Sequence, residues 1–333
     1  MRAAVLPDYR TDLLIEEVPV PDPGPGEVLV RVAGAGLCHS DLHLRAGEVP
    51  VLPHFPWVLG HEVSGHVEAL GPGAHGFEHG EPVVLYGAWG CGACQLCLGG
   101  EEQLCRDSSP VGIRRPGGFA EYLLVPSARH LASLGDLDPI ASAPLADAAL
   151  TSYHAVRRAL PRLVPGSTAV VIGAGGLGQY AVQLLRELSP ATVVAVERSE
   201  ERRKLALELG AHRVLAPDDD EVTGLDATVA AVLDIVGSDA TLATAGRLAA
   251  PKAEVLIVGF AGGTLPVGLR TPANEARVSV SVWGTRTELG EVIELARLGR
   301  LTARVEERDL AGVNTAMRDL TNGNVDGRIV LVP

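Results

Sequence analysis

Four of the five cysteines lie within fifteen residues, in the stretch CGACQLCLGGEEQLC. Separated by two, two and seven residues, they are Cys91, Cys94, Cys97 and Cys105. Four thiolates in one short loop can surround a Zn²⁺ ion tetrahedrally, and a site filled by four protein ligands leaves no place for a substrate. The spacing therefore predicts a structural zinc site in residues 91–105. Two disulfides or four free thiols are the alternatives.

The fifth cysteine stands apart, in the stretch AGLCHSDLHLRAG. A lone buried cysteine is usually a small apolar filler. Cys38, however, ends an apolar strand-like run and is followed at once by polar side chains, and a histidine and a glutamate, His61 and Glu62, come between glycines downstream. This density of polar groups favours a chemical role for Cys38 and His61.

A glycine-rich turn follows a second apolar run, in TAVVIGAGGLGQYAVQLL. Gly173, Gly175 and Gly178 form a G-x-G-x-x-G pattern that includes Gly176 and Leu177. The pattern is weak alone, but here it lies between a predicted strand and a predicted helix, the context that dinucleotide binding requires. The glycines permit a tight turn and close approach of the backbone to a pyrophosphate at the helix N-terminus.

An acidic residue, Glu197, ends the next predicted strand, nineteen residues after Gly178. A carboxylate there can accept both ribose hydroxyls and repels the extra phosphate of NADP, which favours NAD. Arg198 follows immediately and could relax this preference.

Composition and charge exclude several classes of protein. The chain has 333 residues and a net charge of −13, which argues against nucleic acid or an anionic membrane as partner. We find no signal-peptide pattern and no apolar run long enough to span a bilayer, so the expected location is the cytoplasm. Thiols stay reduced there, which favours metal binding by the cysteine cluster.

The elements that must position these residues lie in two parts of the chain that differ in composition and in predicted secondary structure. Residues 1 to about 146 are rich in Gly and Pro and indicate short strands and turns. From about residue 148, strand-like and helix-like segments alternate, which predicts a parallel sheet covered by helices on both faces.

Two further motifs carry a resemblance to a known family. GHEVSGHVEALG is similar to the zinc signature of medium-chain alcohol dehydrogenases, and CHSD is similar to their first zinc-ligand segment. The four-cysteine loop resembles their structural zinc lobe, and the motifs occur in the family's order over essentially the whole chain. The resemblance implies a GroES-like irregular β catalytic domain (1–147 and 283–333) and a doubly wound Rossmann domain that binds NAD (148–282).

The resemblance also implies a catalytic zinc ion held by Cys38 and His61. The third ligand of the family is normally a cysteine, but Asp147 occupies the matching position in PLADAALTSYHAV. A carboxylate is an accepted zinc ligand with the charge of a thiolate. Asp147 could instead cap the helix that follows it.

Further residues match the family's catalytic machinery. Glu62 resembles its acidic neighbour of the metal, and Asp41 resembles the carboxylate that orients the histidine ligand. Ser40 and His43 stand where the family has a hydroxyl and a histidine that carry the substrate proton to solvent. An exposed helix cap and a surface histidine are the alternatives for the last two.

By the same resemblance, four residues face the coenzyme. Arg202 would lie near the adenosine ribose, Arg328 and His39 near the pyrophosphate, and Thr151 near the nicotinamide. The three cationic residues could also be ordinary surface charges.

For the substrate pocket we predict Tyr86, Trp57 and Trp283 as walls, although aromatic side chains are more often core. They would favour apolar alcohols or ketones.

The predicted protein is thus an enzyme with two Zn²⁺ ions per chain that transfers a hydride between a primary or secondary alcohol and NAD⁺, as a homodimer or homotetramer. A polyol or amino-alcohol dehydrogenase and a non-catalytic dinucleotide-binding protein are the alternatives.

Overall fold

The structure is a computed structural model that describes residues 1–269 and 271–333. The chain divides into two compact units. Unit 1 comprises Met1–Leu150, Gly284–Gly299 and Ala303–Pro333, and unit 2 comprises Thr151–Trp283 and Arg300–Thr302. The sequence-based boundaries, 147/148 and 282/283, did not include the short segment 300–302 in the second unit.

Strands and helices are numbered in chain order. The strands are β1 (Arg2–Leu6), β2 (Leu14–Glu17), β3 (Val28–Gly36), β4 (Trp57–Val58), β5 (Glu62–Leu70), β6 (Pro82–Leu85), β7 (Tyr122–Val125), β8 (Leu131–Ser133), β9 (Thr168–Ile172), β10 (Thr192–Val196), β11 (Arg213–Leu215), β12 (Val229–Asp234), β13 (Ala249–Ile257), β14 (Arg277–Val280), β15 (Val305–Asp309) and β16 (Arg328–Val332).

The α-helices are α1 (His39–Ala46), α2 (Gln95–Leu98), α3 (Pro139–Ser142), α4 (Ala148–Ala159), α5 (Gly178–Leu188), α6 (Glu200–Glu208), α7 (Asp220–Thr223), α8 (Asp239–Leu248), α9 (Arg286–Arg297) and α10 (Val313–Asn322). Short 3₁₀ segments span Glu102–Leu104, Ala128–His130, Ala143–Ala146, Leu160–Arg162 and Leu310–Gly312.

Unit 1 is built on a mixed sheet in the order β15-β16-β3-β5-β6-β8, to which β7 adds by pairing with β3. Strand β3 lies between β16 and β5 and is antiparallel to both. A smaller sheet has the order β2-β1-β4. Apolar side chains of β3, β5 and β16 form the main core together with α10. This irregular β unit carries Cys38 at the end of β3 and His61 at the start of β5.

Unit 2 is a parallel sheet in the order β11-β10-β9-β12-β13-β14. The central strands β9, β10 and β12 are buried along almost their whole length, because helices cover both faces of such a sheet. Strand order reverses direction between β9 and β12, where ligands bind in folds of this kind. The predicted α/β fold, with an irregular β domain and a doubly wound sheet, is confirmed.

Two elements in the C-terminal part of unit 1 were not identified from the sequence. They are β15 and α10, between the last predicted helix and the final strand. The apolar spacing of Val313, Ala316, Met317 and Leu320 in α10 is a helical signal that was available. None of the helices in residues 1–269 and 271–333 has the length and hydropathy that spanning a membrane requires.

Candidate functional site

A buried cluster in unit 1 brings four metal-binding side chains together. One donor atom from each of Cys38, His61, Glu62 and Asp147 lies within 4.8 Å of the others, and all four residues are buried. The Nε2 atom of His61 is 3.5 Å from Oδ2 of Asp147. Sulfur, imidazole nitrogen and carboxylate oxygen are the donors that zinc binds in proteins, so the set fits a zinc ion.

Three separate parts of unit 1 deliver these donors. Cys38 follows β3 and is the N-cap of α1, with extended backbone (φ −109°, ψ 156°). His61 immediately precedes β5, the strand paired with β3, and Glu62 is its first residue. Asp147 lies between the 3₁₀ segment Ala143–Ala146 and α4. Pairing of β3 with β5 therefore brings Cys38 and His61 together although 22 residues separate them in the sequence.

Asp41 contacts both Cys38 and His61. Its Oδ2 accepts a hydrogen bond from the Cys38 backbone N–H (2.9 Å), and its Oδ1 lies 3.3 Å from Nδ1 of His61. The carboxylate is fully buried. A carboxylate at Nδ1 fixes the imidazole so that Nε2 faces the cluster, which is how residues around a metal orient its ligands.

The cluster is electrostatically suited to a cation. Burial alone would lower the pKa of His61, but Asp41, Asp147 and Cys38 raise it well above its ordinary value. Without a metal ion, the imidazole would therefore carry the compensating positive charge. A divalent cation at Nε2 replaces that proton, so metal binding and proton release are coupled at this site.

The buried carboxylate of Glu62 accepts hydrogen bonds from three donor groups. Its Oε2 accepts from Nε of Arg328 (2.9 Å), and its Oε1 accepts from Nη2 of Arg328 and from the Ala148 backbone N–H (3.1 Å). Burial raises the pKa of Glu62, whereas Arg328 opposes that rise. The two-point fork with Arg328 favours the ionised form and limits the rise, which leaves the pKa of Glu62 at about 7.

This placement bears on the expectation for Arg328. Its side chain is only 3% exposed, and two of its nitrogens are bonded to Glu62. The pyrophosphate contact implied by the resemblance remains a prediction. What sequence reasoning missed is the partnership with Glu62, which joins residues 266 positions apart.

The residues proposed for proton transfer lie on α1. Ser40 Oγ lies 3.7 Å from Cys38 Sγ. His43 is partly buried, and its Nδ1 lies 2.5 Å from Oε2 of Glu48. Glu48 was not predicted, although its position five residues after His43 in a short loop makes the contact possible. His39, the first residue of α1, is exposed.

The four-cysteine loop forms a second cluster of donors. All four sulfur atoms lie within 4.8 Å of one another. Cys91 Sγ is 3.9 Å from Cys97 Sγ, and Cys94 Sγ is 3.8 Å from Cys105 Sγ. A tetrahedral zinc ion with Zn–S bonds of about 2.3 Å requires sulfur–sulfur separations of about 3.8 Å. The loop is therefore shaped for a four-sulfur zinc site.

Backbone N–H groups support this loop from within. The amides of Cys91, Cys94 and Cys97 lie 3.4 to 3.5 Å from sulfur atoms of the cluster. The N–H groups of Ala93 and Cys94 lower the pKa of Cys91 to about 6. A thiol with such a pKa is largely thiolate at neutral pH, the form that binds zinc.

An ion pair fastens the loop to the rest of unit 1. Oε1 of the buried Glu102 accepts from Nη1 of Arg129 (2.8 Å), and its Oε2 accepts from the Gly90 backbone N–H (3.1 Å). Arg129 also donates to the Gly90 carbonyl (3.3 Å). Sequence analysis did not identify this pair, since an acidic and a basic residue 27 positions apart give no local signal.

In unit 2, the glycine-rich turn has the geometry expected of a phosphate-binding loop. Gly173 has φ 90°, and a Cβ on Gly178 would lie 1.9 Å from the Gly173 carbonyl oxygen, so neither position admits a side chain without distortion. The carbonyl of Leu177 accepts from Ser152 Oγ (2.9 Å), while the side chain of Gln179 contacts the Gly176 carbonyl. The turn leads directly into α5, whose N-terminus favours anions.

The predicted ribose acid lies beside this turn. Glu197 Oε2 accepts from the Ala174 backbone N–H (2.8 Å), and its Oε1 accepts from the Ser199 N–H (3.0 Å). Arg202 lies close to the turn, since a Cβ on Gly175 would be 3.8 Å from its Nη1. The exposed Arg198 follows Glu197. Two predicted coenzyme residues, Glu197 and Arg202, thus meet the glycine turn within unit 2.

Thr151 is buried near the start of α4. Its expected place beside the nicotinamide stays a prediction.

Two of the three predicted pocket walls are buried and donate hydrogen bonds to backbone carbonyls. Tyr86 is fully buried, and its hydroxyl donates to the Gly284 carbonyl (3.0 Å). Trp57 belongs to the core of unit 1, with its Nε1 donating to the Gly112 carbonyl (3.2 Å). The pocket roles of Tyr86 and Trp57 stay predictions. Trp283 is nearly buried and has φ 50°, a strained backbone conformation of the kind found at functional sites.

A cavity of about 420 Å³ in unit 1 is separate from the metal cluster. Its walls include Pro19, Trp89 and Leu124. None of Cys38, His61 and Asp147 lines it, so we do not assign it to the substrate.

Two family patterns match the chain. The pattern of the family described as "Alcohol dehydrogenase GroES-like domain" matches residues 24–136, which include Cys38, His61 and the cysteine loop. The pattern described as "Zinc-binding dehydrogenase" matches residues 176–297, most of which lie in unit 2.

Curated proteins and solved structures match over full length. A D-arabinose 1-dehydrogenase (NADP(+)) of Saccharolobus solfataricus is 36% identical, with 100% of this chain and 97% of that protein covered. An NAD-dependent alcohol dehydrogenase of Sulfolobus acidocaldarius is 36% identical, with 99% of each covered. The crystal structure of an alcohol dehydrogenase from Aeropyrum pernix has a TM-score of 0.94 and 38% identity, and each chain is covered completely.

Cys38, His61 and the cysteine loop lie in the first matched region, α5 lies in the second, and identities above 30% extend over whole chains. The chain therefore belongs to the zinc-dependent medium-chain alcohol dehydrogenase family and is an enzyme that interconverts alcohols and carbonyl compounds with a nicotinamide coenzyme.

Proposed function

We propose that Cys38, His61 and Asp147 bind the catalytic zinc ion and leave one coordination position for an alcohol or its carbonyl product. The observation that carries this proposal is that these donors lie together in a buried cluster, in which Asp41 orients the imidazole of His61. A zinc ion held by these residues would act as a Lewis acid that lowers the pKa of a bound hydroxyl toward about 7, and a bound oxidised nicotinamide would supply the hydride acceptor.

The chain's own residues supply charge, orientation and a proton path. Cys38 and Asp147 together carry the two negative charges that balance Zn²⁺. Ser40 takes the substrate's hydroxyl proton, and His43 passes it towards solvent. Glu48 contacts Nδ1 of His43 and so helps to orient that ring.

We assign the coenzyme site to unit 2, and we expect NAD to be preferred over NADP. Glu197 accepts hydrogen bonds from the adenosine ribose and repels a 2′-phosphate, while the glycine turn and α5 receive the pyrophosphate. Arg202 adds positive charge beside this turn. His39, Arg328 and Thr151 stay predicted contacts of the coenzyme.

For the substrate we favour an apolar secondary alcohol or ketone. A polyol or sugar is the second candidate, because one relative of 36% identity is named as a D-arabinose dehydrogenase. The guanidinium of Arg328, which lies close to the metal donors, is bonded to Glu62.

A single panel of assays tests these assignments. The purified protein is assayed with secondary alcohols, ketones, polyols and D-arabinose, each with NAD(H) and NADP(H), and its zinc content is measured. We expect two zinc ions per chain and turnover of apolar secondary alcohols with NAD⁺. One zinc ion per chain and no turnover would contradict the catalytic assignment, and turnover confined to sugars would establish the second candidate.

A variant pair tests the coenzyme assignment. Replacement of Glu197 by Gln should raise KM for NAD⁺ about 10- to 100-fold, since charge-assisted hydrogen bonds to the ribose contribute about 1.5–3 kcal/mol. The exposed Glu201 lies on α6 of the same unit, and Glu201→Gln is the control. Equal KM values in both variants would show that Glu197 does not contact the coenzyme.

We also propose that the protein is a homodimer or homotetramer and is cytoplasmic. Strand β14 ends the sheet of unit 2, and Val280 and Val282 in and beside it are 72% and 48% exposed. An exposed apolar edge strand is a site at which a second chain can pair. Light scattering after gel filtration should show an oligomer that Val280→Lys weakens, whereas a monomeric wild-type protein would contradict the proposal.

A further inference from the structure

The side chain of Glu62 passes over a neighbouring strand to reach its partner. In the sheet of unit 1 the strand order is β16-β3-β5, so β3 lies between Glu62 on β5 and Arg328 on β16. Adjacent strands are about 4.8 Å apart, and two strands that flank a third are therefore about 10 Å apart. The Glu62–Arg328 ion pair bridges that distance across the face of β3.

The residue of β3 at the crossing point is Gly36. It is the register partner of Glu62 on one side and of Val330 on the other. A Cβ on Gly36 would lie 2.0 Å from Glu62 Oε2, 2.9 Å from its Cβ and 3.0 Å from its Cδ. All three nearest atoms belong to Glu62, so the space that the missing side chain leaves is the space that the glutamate uses.

Other glycines of the same sheet differ in what crowds them. A Cβ on Gly34 would meet Val330 Cγ1 at 2.7 Å and the Ile140 backbone at 3.3 Å, and one on Gly65 would meet the Arg31 carbonyl at 2.2 Å. These positions permit close packing of the core and the backbone. Gly36 alone among these three gives room to a side chain of the metal cluster.

We propose that Gly36 is a positioning residue that keeps the Glu62 carboxylate on Arg328 and out of the coordination sphere of the catalytic metal. The inference rests on the assignment of Cys38, His61 and Asp147 as metal ligands. The carboxylate of Glu62 already lies within 4.8 Å of the other donors, and it is fully buried, so it has no route to solvent.

A methyl group at position 36 removes the path to Arg328. The displaced carboxylate then binds the cation beside it and fills the position that substrate needs. A glycine in this strand thus decides whether the metal site has three protein ligands or four, which is the difference between an open and a closed zinc site.

The test uses the full-length enzyme with Co²⁺ in place of the catalytic zinc and imidazole as a probe of the open position. Imidazole should change the visible spectrum of the wild-type Co²⁺ enzyme. In Gly36→Ala the same change should need at least about tenfold more imidazole, because a tethered carboxylate competes at a millimolar or higher effective concentration. The value of kcat/KM should fall about 100-fold, as for misplaced active-site groups.

Two further variants separate this role from a loss of packing. Gly34→Ala crowds the same strand without touching Glu62, and it should bind imidazole as the wild type does. In a Glu62→Asp background, the shorter side chain withdraws the carboxylate, so Gly36→Ala should have little further effect on the imidazole titration. The mutational coupling between positions 36 and 62 is the signature of the proposed role.

Each outcome decides the question. If Gly36→Ala binds imidazole as tightly as the wild type, the inference is overturned. If Gly36→Ala does not fold, the Gly36→Ala/Glu62→Asp double variant should fold and bind imidazole, and its failure to fold would also overturn the inference. A wild-type enzyme that takes up no Co²⁺ at this site, or does not respond to imidazole, would instead refute the ligand assignment itself.

Discussion

The two metal sites of unit 1 are built in opposite ways. The four-sulfur site takes its ligands from residues 91–105, and it is partly exposed, with backbone N–H groups directed at the sulfur atoms. The other site joins Cys38, His61 and Asp147, which span 109 positions of sequence and are all buried. One is a loop closed on itself, whereas the other exists only after β3, β5 and the segment before α4 have packed together.

From this difference we infer that one site serves stability and the other serves catalysis. Four thiolates would saturate the first site, so we propose that its metal contributes folding energy and does not contact substrate. The second site has mixed donors, an orienting carboxylate on His61 and a second carboxylate that Arg328 holds aside. Its ligands are costly to bury, and it is therefore the site at which the fold supports reactivity.

The largest effect is expected from Asp147→Ala, which tests whether the buried site is the catalytic one. We expect kcat/KM to fall at least about 10³-fold, because loss of the metal removes several kcal/mol of transition-state stabilisation. Zinc content should drop from two ions per chain to one. Asp138→Ala removes an ordinary N-cap on α3, costs about 1 kcal/mol of stability and serves as the control. Full activity of Asp147→Ala with both zinc ions retained would make Asp147 a helix cap only.

The reciprocal change, Cys97→Ser, should affect stability rather than chemistry. Loss of the four-sulfur zinc should lower the thermal unfolding midpoint by at least about 5 °C, because several kcal/mol of metal-binding energy are lost. Differential scanning fluorimetry and kcat at low temperature measure the two effects. A variant with unchanged melting temperature but no turnover would reverse the roles assigned to the two sites.

A smaller effect should follow from Asp41→Asn. The change weakens the contact with Nδ1 of His61, and substitutions of this kind reduce metal affinity about 10- to 100-fold. A chelator titration with zinc analysis should then remove one zinc ion much earlier than in the wild type, while the four-sulfur zinc is retained. Equal resistance of both zinc ions would show that Asp41 does not orient the ligand.

The smallest effect concerns pH and the support of the cysteine loop. Burial lowers the pKa of His130, the neighbour of Arg129, to about 3. An unfolded histidine has a pKa of about 6.5, so between pH 6.5 and 3 the unfolded chain binds one more proton, and stability falls with falling pH by up to about 1.4 kcal/mol per pH unit.

His130→Gln should reduce this slope in urea unfolding between pH 4.5 and 6.5. The control is His79→Gln, which changes an exposed histidine. An identical slope in all three proteins would mean that His130 is protonated in the folded state.

The sequence alone determined the features that depend on short-range spacing. The cysteine loop, the glycine turn with its flanking strand and helix, and the alternating elements of unit 2 were all recognised from residues close together in the chain. Local pattern was sufficient because these structures are closed by neighbouring residues. Resemblance to the family then named Cys38, His61 and Asp147, which spacing alone could not join.

Only the tertiary structure decided the contacts between distant segments. The pairing of β16, β3 and β5 brings Arg328 to Glu62 over Gly36, and packing buries Trp57 in the core of unit 1. Such contacts depend on which strands become neighbours, and that choice is made by burial of the whole apolar core. In the sequence, nothing therefore distinguishes Gly36 from the other glycines. The role we propose for it depends on the side chain of Glu62, which crosses it in the folded sheet.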